Sequence, residues 1–189
     1  MALDSIGALA SLLATYYFIC LTPRAWIVSL AAISLNGYLY WKKGIYAEAV
    51  LEGIYFLTTC YGWFNWQSSF PYKEKSYIKK LSKYQFIGVC IFILSLYSII
   101  RSFLIYFTTS TVLNMDSLTA ALSLTAQFLM CHKIINTWVL WFITDIIYAF
   151  LYFKKDLPFH VCLMFIYTIM AVIGYYSWYK SRSYVPSCI

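Results

Sequence analysis

Asp4-Ser5-Ile6-Gly7-Ala8-Leu9-Ala10-Ser11-Leu12-Leu13-Ala14 opens the chain, and Asp116-Ser117-Leu118-Thr119-Ala120-Ala121-Leu122-Ser123-Leu124-Thr125-Ala126 restates it 112 residues later. The correspondence runs without a gap from 4–66 to 116–178. It includes Trp26/Trp138, Leu39/Leu151, Tyr40/Tyr152, Lys42/Lys154, Lys43/Lys155, Tyr55/Tyr167, Gly62/Gly174 and Trp66/Trp178, and it reaches 16 identities in 63 positions. Apolar composition alone produces scattered matches. It does not align two Trp pairs, a Lys-Lys pair and two Asp-Ser starts in one register. The chain is therefore read as a duplication, with repeat one at 4–66, a connector at 67–115, repeat two at 116–178 and a tail at 179–189.

Composition places this duplication in a bilayer. The chain is 62% hydrophobic and 11% charged, whereas an ordinary soluble domain is about 45–50% apolar and about 25% charged. A water-soluble core of 189 residues cannot hide that much apolar surface. Breaks at Thr22-Pro23-Arg24, Lys42-Lys43-Gly44, Gln67–Ser82, Thr108–Met115, Lys133–Ile135 and Lys154-Lys155-Asp156 leave seven apolar segments near 5–21, 25–41, 45–66, 83–108, 117–132, 136–153 and 157–178. Each approaches the roughly 20 residues needed to span hydrocarbon as a helix. The expected fold is an all-α integral membrane protein with seven transmembrane helices in a 3+1+3 arrangement. A single connecting span gives both triplets the same orientation, which makes them parallel repeats.

Lys and Arg in short loops stay on the cytoplasmic side. Arg24, Lys73, Lys75, Lys79, Lys80, Lys83, Lys133, Lys180 and Arg182 share one side, against Lys42, Lys43, Lys154 and Lys155 on the other. The expectation is an N-terminus outside and a C-terminus in the cytoplasm. The net charge of +7 follows from this bias and suits anionic headgroups; with no basic face on a soluble element, nucleic acid is not an expected partner. The first segment lacks a basic n-region and a cleavage site, so it reads as a mature helix. Six cysteines without paired spacing read as packing residues.

Polar residues inside spans are costly, so their spacing points to a site. Trp138, Trp141, Asp145, Tyr148 and Tyr152 fall at i, i+3, i+7, i+10 and i+14, within an arc of about 80° at about 100° per residue. The same arc one repeat earlier carries Trp26, Ser29, Ile33, Asn36 and Tyr40. Glu48, Glu52, Tyr55, Thr59, Gly62 and Trp66 form a third stripe, matched in repeat two by His160, Met164, Tyr167, Ala171, Gly174 and Trp178. The halves share aromatic and small residues and differ in charge. Carboxylates beside Trp and Tyr faces suit a small aromatic solute, above all a cationic one. Trp26, Trp41, Trp66 and Trp178 also fit interfacial anchoring or packing, and Glu48 fits a contact with Lys42 or Lys43. Gln127 suits either a ligand or a helix–helix hydrogen bond. No nucleophile elbow, HExxH, phosphate-cradling loop or metal-spaced Cys/His cluster is present, so an enzyme, a metal and a cofactor are not expected.

Tyr61-Gly62-Trp63-Phe64-Asn65-Trp66, Leu122-Ser123-Leu124-Thr125-Ala126-Gln127 and Asn136-x-Trp138-x-x-Trp141 followed by Asp145 resemble the PnuC family of vitamin transporters along nearly the whole chain. The resemblance implies a seven-helix carrier in the inner membrane, often a homotrimer, moving an unphosphorylated vitamin by facilitated diffusion. A cytosolic kinase then traps the solute. It implies a ligand between the triplets near Gln127, Asn136, Trp138 and Trp141. Taken with the stripes, the expected substrate-binding set is Asn36, Glu52, Tyr55, Trp63, Gln127, Asn136, Trp138, Trp141, Asp145 and Tyr148. Nicotinamide riboside is the first expected substrate and thiamine the second. A membrane interaction protein whose repeat is purely architectural is the remaining reading.

Overall fold

Leu21 and Lys133, 112 residues apart, both have a left-handed backbone, with φ of 55° and 54°. Each turns the chain after an apolar helix, so the sequence repeat reappears as a repeat of turns. The computed structural model describes residues 2–42, 44, 46–68, 78–107, 112–154 and 158–183. Among them the chain forms seven helices: α1 (Ala2–Ile19), α2 (Arg24–Lys42), α3 (Tyr46–Ser68), α4 (Lys83–Phe107), α5 (Leu113–Cys131), α6 (Thr137–Lys154) and α7 (Pro158–Ser183). The side chain of Glu48, together with Lys43, Lys73, Lys75, Lys155 and Cys188, lies outside the described residues.

The helices match the seven expected segments and differ at their ends. α7 continues past 178 because Lys180 and Arg182 in its last turn complement the negative end of the helix dipole. α4 starts where Ser82 and Gln85 form a capping box: the Ser82 N–H donates to Gln85 Oε1 at 2.9 Å, and the Gln85 N–H donates to Ser82 Oγ at 3.3 Å. This reciprocal pairing satisfies donors that no helical carbonyl can reach. By length and composition, Lys83–Tyr106, Thr137–Lys154 and Phe159–Arg182 are apolar enough to cross a membrane. The apolar stretch of α1, Ile6–Ile19, is shorter, and α2, α3 and α5 carry Ser, Thr, Asn, Gln or Glu among their apolar residues.

α1 packs on α2 and α2 on α3; α5 packs on α6 and α6 on α7. α3 also packs on α5 and α7 on α1, while α4 lies chiefly against α5. The two cross-contacts are related by the repeat. Trp66 Nε1 donates to the Met130 carbonyl at 3.1 Å, and Trp178 Nε1 donates to the Phe18 carbonyl at 3.0 Å. Asn65 Nδ2 donates to the Cys131 carbonyl at 2.8 Å, and Ser177 Oγ to the Ile19 carbonyl at 3.2 Å. Every donor pair and every acceptor pair is 112 residues apart. The acceptors are the last carbonyls of α1 and α5, which lack partners within their own helices. Each half thus caps a helix of the other.

These bonds surround a core of indoles. Trp26 and Trp66 meet edge to face at 5.3 Å, Trp138 and Trp178 do so at 5.5 Å, and Trp66 and Trp178 approach to 6.3 Å. Trp26, Trp66 and Trp178 are buried here, so the structure assigns them to packing and leaves Trp41 exposed. Gly62 lies against the Trp26 ring and Gly174 against the Trp138 ring, where no Cβ fits. One feature breaks the symmetry. Residues 78–82 lie along the α5–α6 turn, with the Lys79 N–H donating to the Lys133 carbonyl and the Ile135 N–H to the Lys79 carbonyl, both at 2.9 Å.

Candidate functional site

A cavity of about 280 Å³ lies between the halves and is lined from every helix except α4. Its inner boundary follows from the packing just described. Phe18 of α1, Met130 of α5 and Trp138 of α6 belong both to the indole core and to the cavity wall. From that floor the lining runs along α2 to Asn36, along α6 to Tyr152 and along α3 to Glu52. The indole core closes one end, and the cavity extends toward the α2–α3 and α6–α7 ends of the bundle.

Helical spacing puts the polar side chains on this wall. Eight of the ten expected site residues line the cavity: Asn36, Glu52, Tyr55, Gln127, Trp138, Trp141, Asp145 and Tyr148. Two are placed elsewhere. Trp63 packs against the indole core and stacks on Phe64 at 6.2 Å, because it lies eight residues beyond Tyr55, about 12 Å farther along α3 and past the cavity floor. Asn136 precedes α6, and its Oδ1 accepts the Leu81 N–H at 3.1 Å. Its amide holds the 78–82 segment. Tyr152, Tyr167, Met164 and Ala171 also line the cavity, and their membership in the α6 and α7 stripes was the available signal. Ser11, Ala14, Thr15 and Phe18 line it from α1; they share one helical face, but small hydroxyls in an apolar run carry little signal.

The wall is itself bonded across the halves. Tyr55 donates to Ser123 Oγ at 2.6 Å, and its repeat mate Tyr167 hydrogen-bonds Ser11, the mate of Ser123. Gln127 Nε2 donates to Thr59 Oγ1 at 3.1 Å, with both residues buried. That pair has no equivalent, since the corresponding positions are Thr15 and Ala171 and Thr15 bonds its own helix at Ser11. The indole N–H groups of Trp26 and Trp138 are buried without a partner among the described residues. Trp26 does not line the cavity, so the shared orphan donor is a property of the duplicated scaffold.

Charge is the sharpest asymmetry. Glu52 and Asp145 line the cavity, whereas no Lys, Arg or His among the described residues does. Among the described residues no group of three or more His, Cys, Asp or Glu is placed to hold a metal. Outside the helices Lys133 is buried, with Nζ 5.0 Å above the Trp66 ring. Burial, and then the nearby charge of Lys79, lowers the pKa of its ammonium from 10.5.

The chain is similar to known transporters. The nicotinamide riboside transporter PnuC of Escherichia coli K12 is 21% identical over 204 residues, covering 95% of this chain and 85% of that protein. The Shigella flexneri protein of the same name matches to the same extent. A crystal structure described as the vitamin B3 transporter PnuC superposes with a TM-score of 0.80 at 23% identity, over 96% of this chain and 82% of that one. The family described as nicotinamide mononucleotide transporter matches residues 1–180. The chain belongs to that family, the PnuC family of transporters, as its sequence motifs implied.

Proposed function

We propose that this protein is a multi-pass inner-membrane carrier that takes up an unphosphorylated vitamin, nicotinamide riboside, by facilitated diffusion, with cytosolic phosphorylation trapping the solute. The observation that carries the reading is the cavity of about 280 Å³ between the repeated halves, walled by Trp138, Trp141, Tyr55 and Tyr148 and carrying Glu52 and Asp145. Its volume lies just below the roughly 300–1,000 Å³ typical of small-molecule sites. The family description names the mononucleotide and the Escherichia coli relative names the riboside. With two carboxylates and no Lys, Arg or His on its wall among the described residues, the cavity repels a phosphate and accepts a pyridinium. This chemistry supports the riboside.

In this reading all seven helices span the membrane in a 3+1+3 arrangement of parallel repeats, 4–66 and 116–178, with the N-terminus outside, the C-terminus cytoplasmic and a homotrimer as the assembly. No cofactor takes part. The site comprises Asn36, Glu52, Tyr55, Gln127, Trp138, Trp141, Asp145 and Tyr148, with Trp63 and Asn136 supporting it from the core and from the α5–α6 turn. Labelled nicotinamide riboside should enter liposomes containing the protein with saturable flux that unlabelled riboside blocks and the mononucleotide does not. Absence of flux for any vitamin overturns the carrier reading in favour of an architectural protein.

Thiamine is the second candidate, favoured by Glu52, which suits an aminopyrimidine and a thiazolium together. Calorimetry on the purified protein separates the two: tight thiamine binding with none for nicotinamide riboside reverses the order. In that event Glu52→Gln weakens thiamine more than it weakens a neutral vitamin.

A further inference from the structure

We propose that Asp145 reads the positive charge of the solute and selects cationic heteroaromatic solutes over neutral molecules of the same shape. The inference deepens the carrier reading and rests on it.

Asp145 is 7% exposed and lines the cavity. Among the described residues no side chain or backbone N–H donates a hydrogen bond to its carboxylate, although Tyr167 lies beside it. Among the described residues the lining contains no Lys, Arg or His to balance it. Carboxylates in protein interiors are ordinarily paired or hydrogen-bonded, because an isolated buried charge is strongly unfavourable. Here the fold leaves the partner's place open on the cavity side. Trp141 and Trp138 precede Asp145 by four and seven residues on the same face of α6 and share the cavity wall. Indole faces attract cations, so the three residues favour the same kind of solute. Glu52, by contrast, is only half-buried and already has an interaction of its own.

The repeat sharpens the assignment. The position equivalent to Asp145 is Ile33, which also lines the cavity. A nearly two-fold scaffold therefore presents a carboxylate on one wall and an aliphatic side chain on the opposite one. This difference gives a planar cation a preferred side, with its charged ring at α6.

The test uses the full-length protein in detergent and calorimetry with two ligand pairs. One is nicotinamide riboside and its reduced, neutral dihydro form. The other is thiamine and an analogue with a neutral ring replacing the thiazolium. For the vitamin that binds, the wild type is expected to prefer the cation by at least about tenfold. Asp145→Asn should weaken the cation by roughly 30-fold and leave the neutral analogue within about threefold, while Glu52→Gln reduces the preference by less. Asp145→Ser carries the same expectations if the Asn variant does not fold. A wild type that binds both members of a pair equally overturns the assignment, as does a preference that survives in the Asp145 variant. A wild type that binds none of the four overturns the carrier reading itself.

Discussion

Lys133 shows how one side chain takes its properties from neighbours distant in sequence. It occupies the left-handed position after α5, lies over Trp66 and is 6% exposed, with Lys79 bonded alongside. Its lowered pKa means that the unfolded chain binds a proton more tightly than the folded one. Stability therefore rises with pH through the window between the lowered value and 10.5, the ordinary value. Replacing Lys133 with Met removes this contribution. Melting curves at successive alkaline pH values should show a shallower rise for Lys133→Met than for the wild type; equal slopes would contradict the assignment. The contrast with Gln127 is instructive. Gln127 stood out in the sequence as a polar residue in an apolar run, and the structure gives it a buried partner in Thr59 and a place on the cavity wall. Lys133 looked like an ordinary loop cation, because no pattern on its own segment announces Trp66.

Between elements, the repeated Gly–Trp contacts set the spacing of helices. Gly62 lets α3 approach Trp26 on α2, and Gly174 lets α7 approach Trp138 on α6; a Cβ at 174 would lie 2.6 Å from the Trp138 ring. Gly62→Ala and Gly174→Ala should each destabilise the protein by about 1–3 kcal/mol through overpacking, measured by thermal unfolding in detergent. Only Gly174→Ala should also weaken substrate binding several-fold, since Trp138 lines the cavity and Trp26 does not. Equal effects on binding would show that the cavity does not sense the α6–α7 spacing. The stripes on α2, α3, α6 and α7 were legible from helical periodicity alone. The α1 wall was not, because Ser11, Ala14 and Thr15 are too small to mark an apolar helix. Trp63 and Asn136 lie off the cavity for a different reason: a motif identifies a neighbourhood, while Trp63 sits about 12 Å along the helix beyond Tyr55 and Asn136 precedes α6.

At the scale of the whole molecule, the halves are joined by bonds that each makes to the helix ends of the other. The Trp66–Met130 and Trp178–Phe18 bonds are equivalent under the repeat, so Trp66→Phe and Trp178→Phe should cost similar amounts, about 0.5–1.5 kcal/mol each for one lost hydrogen bond, since the two carbonyls keep the backbone N–H bonds of Lys133 and Leu21. Parallel melting of the two variants checks this, and a large inequality would show that the 78–82 segment, which packs Ile78 into the indole core, supports one half more than the other. The sequence by itself determined the helical class, the duplication and the inward stripes, because helical period and apolar content are local properties of a chain. Only the tertiary structure decided that the halves cap one another, that the four indoles close one end of the cavity, and that Asp145 faces it without a partner among the described residues. Those facts depend on which residues meet across separations of about 60 to 160 positions, and no local pattern encodes that.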